Sequence, residues 1–514
     1  MGNSNDFIIK DGVLQKYLGK DRCVVIPDIV TRIGNYAFDG CRLIKNICIP
    51  DSVTSIGNYA FMECISLEKI IIPHGVTSVG DYAFGECSSL KNITIPDTVT
   101  TIGIGMFVGC EVIHNIELSQ NNRVLKIENG NLYTKDGKTL IKHILDDEEK
   151  FIIIPEGVES IEPEAFLAHS QIERIVLPDS VIYIGYGAFK DCLELVSVNI
   201  PDNIQVIEAT TFEKCVSLKN IYIPNSVIDI AEFAFWNCYS LKEIVLLDGL
   251  RFIGTNAFAN CTSLEKINIP NSVMEIGAYA FSGCSKLECF DGTFCKILEL
   301  EDGMFENCVN LKTVDLPLYL SKIGNKTFSG CKNLKGMVFT KYLESIGEYA
   351  FAECINLKSI SFMNSDLKVG HMAFHKCNTI YLLNDQFSDN PNTINKLVSK
   401  LISEFYGFDK LKIRTSCGHS AYITITDYYI KDGELGGYYG EEKEVVIPDI
   451  VTKIKENAFL LQNNIETIII PDTVKHIEKG AFNWCNLKAA KVPEHLKKQF
   501  EKSFGENIPN IKYL

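Results

Sequence analysis

Between Val53 and Pro73, the recurrent apolar positions are Val53, Ile56, Ala60, Phe61, Cys64, Leu67, Ile70 and Ile72, with mostly polar or small residues between them. The same order returns every 23 residues. Its aromatic falls at Phe38, Phe61, Phe84 and Phe107, then at Phe166, Phe189, Phe212, Phe235, Phe258, Phe281, Phe305, Phe328, Phe351 and Phe374, and again at Phe459 and Phe482, sixteen copies in all. So strict a period predicts a repeat solenoid, in which each unit buries its apolar face only by stacking on its neighbours. Leu67, Ile70 and Ile72 predict a short strand with those side chains inward. Side chains alternate along a strand, so Lys69 and Ile71 point out. Pro73 closes the strand where no further ladder donor is wanted. Val53 and Ile56 lead into a turn or short helical twist that carries Ala60, Phe61 and Cys64.

The period breaks in informative places. In residues 121–150, Asp136-Gly137 lies between strand-like runs, a hairpin signal. The opening segment Asp6 to Thr31 has an ungapped second copy at Asp427 to Thr452, with Gly12 matching Gly433, Tyr17 matching Tyr438 and Pro27 matching Pro448. Such hairpins supply the cap that a solenoid's first edge requires. Ile394, Leu397, Val398, Leu401, Ile402 and Phe405 form one helical stripe, and a proline-started helix with Leu496, Phe500 and Phe504 follows the last repeat. Two tandem modules are expected. The first, 1–415, comprises a hairpin cap 1–26, repeats at about 27–120 and 151–378, the hairpin insertion 121–150, and a helical cap at about 390–408. The second, 416–514, comprises a hairpin cap 427–447, two repeats and a helical cap 493–504. Proteases are expected to cut between Asn384 and Asp427.

The phrase IP-x-x-V-x-x-IG-x-x-AF-x-x-C-x-x-L-x-x-I-x-I resembles the BspA-like leucine-rich repeats, also called the Treponema pallidum type. The resemblance covers almost the whole chain. It implies a leucine-rich-repeat right-handed β/α superhelix with β-hairpin N-caps and helical C-caps. It also implies surface proteins that adhere to host matrix proteins or to other cells. Binding residues are not fixed across that family, so none is carried over.

Apolar content of 46% describes a well-filled interior, while the net charge of −15 and pI near 5.2 describe an acidic surface. That surface argues against a general nucleic-acid or anionic-membrane binder. No basic segment followed by an apolar one opens the chain, and no apolar run approaches a membrane span. As written, the sequence reads as cytoplasmic, with a cell-surface or secreted location if a leader is missing or export is non-classical. Fourteen of the nineteen cysteines stand three residues after the repeat phenylalanine: Cys41, Cys64, Cys87, Cys110, Cys192, Cys215, Cys238, Cys261, Cys284, Cys308, Cys331, Cys354, Cys377 and Cys485. Stacking puts equivalent residues roughly 4.8 Å apart with parallel side chains, a poor geometry for disulfides. A ladder of buried free thiols, each packing as a small hydrophobe, is expected.

The chain is poor in catalytic constellations. His371, His375 and Cys377 have metal-like spacing, but Cys377 is a ladder cysteine and should face inward. Ser416-Cys417-Gly418-His419 lacks a third orienting group. Cys284, Cys289 and Cys295 cluster in an irregular repeat that packing explains better than a metal. No glycine-rich phosphate loop follows any strand. The expectation is therefore a protein that is not an enzyme, has no catalytic or metal residues and no cofactor, and binds a protein or glycan partner through its outward strand positions. It should bind neither nucleic acid nor the membrane interior. Arg174, Asn199, Asn220, Tyr222, Glu243 and Asn268 combine guanidinium, amides, carboxylate and phenol, the chemistry of binding hot spots. They form the expected contact strip. An intracellular scaffold that self-associates is the alternative.

Overall fold

The computed structural model describes residues 6–144, 148–361, 367–377, 380–384, 411–415, 420–421, 428–431, 433–438, 443–449, 451–460, 462, 464–483, 485, 487–504 and 511–513. Coils of the repeat meet along three ladders, the first of them interrupted where the coil of residues 266–268 forms no strand. The first joins the L-x-x-I-x-I strands. Cys23–Val25, Asn46–Cys48, Lys69–Ile71, Asn92–Ile95 and Asn115–Leu118 pair in parallel, in that order. The second joins the short V-x-x-I strands, such as Arg32–Ile33, Ser55–Ile56, Ser78–Val79 and Thr101–Ile102. Neighbouring coils approach so closely here that a Cβ on Gly57 would lie 2.7 Å from the Asn35 backbone nitrogen.

The third ladder runs along the turns. Tyr59, Phe61 and Glu63 donate their N–H groups to the carbonyls of Asp81, Ala83 and Gly85 at 2.8, 2.8 and 3.0 Å. Tyr59 and Glu63 are left-handed, at φ 57° and 55°. The same two positions, flanking the phenylalanine, are left-handed in coil after coil. Left-handed backbone is unfavourable for side chains of this size. The alternation turns every second N–H toward the next coil, so inter-coil hydrogen bonds offset that strain. The side of the coil that carries the phenylalanine thus has turns where the superhelix expectation allowed helices. Among the described residues α-helix is confined to Lys497–Lys502, preceded by a 3-10 turn at Glu494–Leu496.

Between the ladders lies an apolar core, one cluster of it running from Phe7 to Ile141 and another from Leu435 to Phe504. Phe38 and Phe61 stack with centroids 5.0 Å apart, and the fully buried series extends through Phe212, Phe235 and Phe258 at 5.1 and 5.2 Å. Thirteen of the fourteen ladder cysteines are buried and Cys41 is half-buried. The buried thiols do more than fill space. Cys64 donates its Sγ–H to the Phe38 carbonyl of the preceding coil at 3.3 Å, and Cys215, Cys238 and Cys261 repeat the bond at 3.1, 3.1 and 3.3 Å. The ladder cysteine is therefore a hydrogen-bond donor that ties coil to coil.

The chain divides into two compact units, Met1–Ser285 and Lys286–Leu514. The first opens on the hairpin Phe7–Lys10 with Val13–Tyr17. The second contains the equivalent hairpin, Tyr428–Lys431 with Glu434–Tyr438, and closes on Lys497–Lys502, where Phe500 and Phe504 pack against Phe482 at 5.1 and 5.5 Å. The helical cap expected at 390–408 lies outside the described residues.

Residues 121–150 hold three strands, one more than the hairpin signal implied. Leu125–Glu128, Asn131–Thr134 and Thr139–His143 form an antiparallel meander, and the last pairs in parallel with Ser160–Ile161. This meander restarts the solenoid. Tyr17, His143 and Tyr438 occupy equivalent places: each donates its N–H to the next coil's alanine carbonyl (Ala37, Ala165, Ala458) at 2.8, 2.9 and 2.7 Å. Each also lays its ring on the next phenylalanine, with centroids 5.3 to 5.4 Å apart.

Candidate binding surface

Outward side chains of the L-x-x-I-x-I strands form parallel rows on one face of the first unit. Register places Phe151, Arg174 and Ser197 in one row, with Ile153 and Val176 in the next. Farther along, Asn220 faces Glu243 and Tyr222 faces Val245. Of the residues expected to form the contact strip, Arg174, Asn199, Asn220, Tyr222, Glu243 and Asn268 are all exposed on this face. Tyr222 is 55% exposed although it stands on a strand. The Arg174 guanidinium lies 5.6 Å from the Phe151 ring centroid, a cation–π arrangement that holds both side chains upright. Asn199 differs. Its Nδ2 donates to the Leu177 carbonyl at 2.7 Å and its Oδ1 accepts the Leu177 N–H at 2.8 Å, so its amide extends the ladder.

A groove of about 920 Å³ opens on the same face in the earlier coils, lined by Cys48, Ile71, Thr94, Glu117, Leu118 and Ile127 among others. Ile127 comes from the meander and stands across the groove's end. The groove's lining comes from four successive coils together with Ile127 of the meander.

The sequence reading also missed a buried polar cluster where the meander meets the coils on either side. Lys142 is buried and donates Nζ–H to the Glu164 carbonyl at 2.9 Å. Burial lowers the pKa of Lys142 and raises those of Glu162 and Glu164. The two carboxylates accept the N–H groups of Gly105 and Gly109, which would otherwise reach for the carbonyls of a following coil. His169 occupies the ladder-cysteine position of its coil, 4.7 Å from His143 by ring centroids. Its Nδ1 lies 2.9 Å from the Leu167 carbonyl, which can only accept, so Nδ1 carries the proton. Burial, then His143 and Lys142, hold its pKa well below the ordinary value. A histidine in a cysteine register was the available signal.

The remaining candidates are structural in what they touch. Cys377 is buried and donates to the Phe351 carbonyl at 3.0 Å, while His371 and His375 set edges against Tyr349. Cys284 lies on the ladder of the first unit and donates to the Phe258 carbonyl at 3.2 Å. In the second unit Cys289 is exposed and Cys295 is buried, with burial pushing its thiol up to about 11. Ser416, Cys417, Gly418 and His419 lie outside the described residues. Among the described residues, no group of three or more histidine, cysteine or acidic side chains is arranged to hold a metal ion. No helix among them is long and apolar enough to cross a membrane.

The family described as BspA type leucine rich repeat region matches residues 18–132, 148–265, 251–381 and 438–513. The gap between the first two matches falls on the meander. Among solved structures, a leucine-rich repeat protein from Bacteroides ovatus is 28% identical, with 81% of this chain and 97% of that chain covered and a TM-score of 0.46. The T. pallidum leucine rich repeat protein TpLRR is 29% identical over 41% of this chain and 90% of its own, with a TM-score of 0.30. A leucine rich cell surface protein from Faecalibacterium prausnitzii is 26% identical over 50% and 91%, with a TM-score of 0.39. No curated protein matches the chain.

Proposed function

Because this chain belongs to the BspA-type leucine-rich repeat family, we propose that it is a non-catalytic binding protein that offers its outward strand face to a protein or glycan partner. The observation that carries the reading is the exposed strip in the first unit, where Arg174 braced on Phe151 and the 55% exposed Tyr222 stand on a laddered strand face. The strands of Arg174 and Tyr222 are paired with neighbouring coils, so these side chains are held in place before a partner arrives and little ordering entropy is lost on contact. Tyr and Arg join a large contact area to directional hydrogen bonds. Asn220, Glu243 and Asn268 extend the strip, and Asn199 stiffens it. An adhesive role outside the cell is the form this function takes in our reading, and fractionation tests it: a chain retained in the cytosol supports an intracellular scaffold instead.

The strip itself is tested with a partner recovered on the full chain. A folded Arg174→Ala, Tyr222→Ala double variant is expected to bind about tenfold more weakly or worse, roughly 1.4 kcal/mol. Unchanged affinity would move the site to the turns or the caps.

A further inference from the structure

The L-x-x-I-x-I ladder that starts at Cys23–Val25 ends at Asn115–Leu118, which pairs with Asn92–Ile95 on one side and with no described strand on the other. The next strand of this kind, Phe151–Ile153, pairs onward with Arg174–Val176. In a parallel ladder, alternate residues direct their backbone groups to opposite sides. Asn115 and Ser119 donate their N–H groups to Lys91 and Ile95 at 3.1 and 3.2 Å, so Ile116 and Leu118 turn theirs to the open side. The turn edge of the same coil is treated differently: the carboxylates of Glu162 and Glu164 cover the N–H groups of Gly105 and Gly109.

An open strand edge is a template for another strand, and proteins commonly blunt such edges with lysine or proline. Asn115–Leu118 carries neither. It borders the groove of about 920 Å³, whose apolar lining includes Ile71, 52% exposed, and Ile127, 38% exposed. The carboxylates lining the groove are Asp51 and Glu117, and His74, also in the lining, faces Asp97 at 3.7 Å. Acidic groups beside an apolar floor and an open edge select one kind of occupant.

We propose that this edge accepts an extended strand of a partner protein, hydrogen-bonded to the backbone of Ile116 and Leu118. Aliphatic side chains of that strand pack on Leu118 and Ile127 at the groove's end, and a lysine or arginine faces Glu117. This is strand addition, at a place separate from the Arg174–Tyr222 strip.

The probe is a fluorescent octapeptide of alternating valine and lysine, titrated against the full chain by anisotropy. Its partner is the same peptide N-methylated at alternate residues, which keeps charge and side chains but cannot pair along one edge. The unmodified peptide is expected to bind at least about tenfold more tightly than the methylated one. It should also slow hydrogen exchange at Ile116 and Leu118. Glu117→Lys should weaken binding, whereas Arg174→Ala, Tyr222→Ala should leave it unchanged. Equal binding of the two peptides would overturn the proposal by reducing the contact to charge alone. So would Ile116 and Leu118 amides that exchange, before any peptide is added, as slowly as those of Ile93 and Ile95.

Discussion

At the residue scale, the ladder cysteine is the side chain whose role the structure most enlarges. Its register was legible because a thiol recurs three residues after each phenylalanine; its bond to the preceding phenylalanine carbonyl was not, since that bond joins residues 26 apart. Burial pushes the thiols of Cys110, Cys192, Cys284 and Cys485 up to about 12. The reactive species is the thiolate. A bulky thiol reagent at neutral pH should therefore label Cys23, Cys48 and Cys289 in the native chain, and the buried ladder only after denaturation. Fast native labelling of the ladder would mean that the coils open far more readily than their packing allows. At one position where cysteine is replaced, the substitute keeps the donor role. Gln462 stands in that register and donates Nε2–H to the Tyr438 carbonyl at 2.8 Å.

His169 stands in the same register, and burial keeps its imidazole neutral in the fold. A buried histidine with a depressed folded-state pKa binds fewer protons than it does in the unfolded chain. Its contribution to stability is present above the unfolded value of about 6.5 and is lost as pH falls below it. Glu162 and Glu164 oppose this. Their raised folded-state pKa values favour the protonated fold, so their contribution grows as pH falls. His169→Gln should therefore remove only the acid-side loss. Between about pH 6.5 and 5, urea denaturation of the full chain should show a smaller fall in stability for the variant than for the unmodified protein. Parallel pH curves would show that His169 does not titrate on unfolding.

At the scale of the element, the repeat strands and turns were readable because one phrase specifies both the inward set and its spacing. The hairpins at Tyr17 and Tyr438 were readable as copies of each other. The meander was not, because its third strand replaces the aromatic with His143, adds a residue between Gly137 and Leu140, and sets Lys142 where Lys16 stands in the opening hairpin. Only the backbone bond to Ala165 and the ring on Phe166 reveal the equivalence. His143→Tyr should accordingly be tolerated better than His143→Ala. The tyrosine keeps a ring on Phe166, whereas the alanine exposes that ring's face to a void, at a cost of about 3 kcal/mol by analogy with large-to-small core changes. Thermal unfolding of the full chain checks the order of the two variants. The contact strip was legible only as a list of outward residues; that Asn199 is bound to Leu177 and that Arg174 rests on Phe151 are facts of the folded register.

At the scale of the molecule, stability is a sum over neighbouring coils. Phe235→Ala removes a ring stacked between Phe212 and Phe258 and should cost about 3–5 kcal/mol. Hydrogen exchange should speed up most in the coils on either side of residue 235, and much less at Val24 and Ile47 in the first coils. A uniform loss across the first unit would mean that its coils unfold as one block.

Function at this scale rests on the strand face as the working surface, and a hydrogen-exchange footprint of the full chain with its recovered partner tests that most directly. Protection is expected across Arg174–Val176, Asn220–Tyr222 and Glu243–Val245, with the turns around Phe189, Phe212 and Phe235 unchanged. Protection confined to those turns, with the strands exchanging as before, would contradict the account.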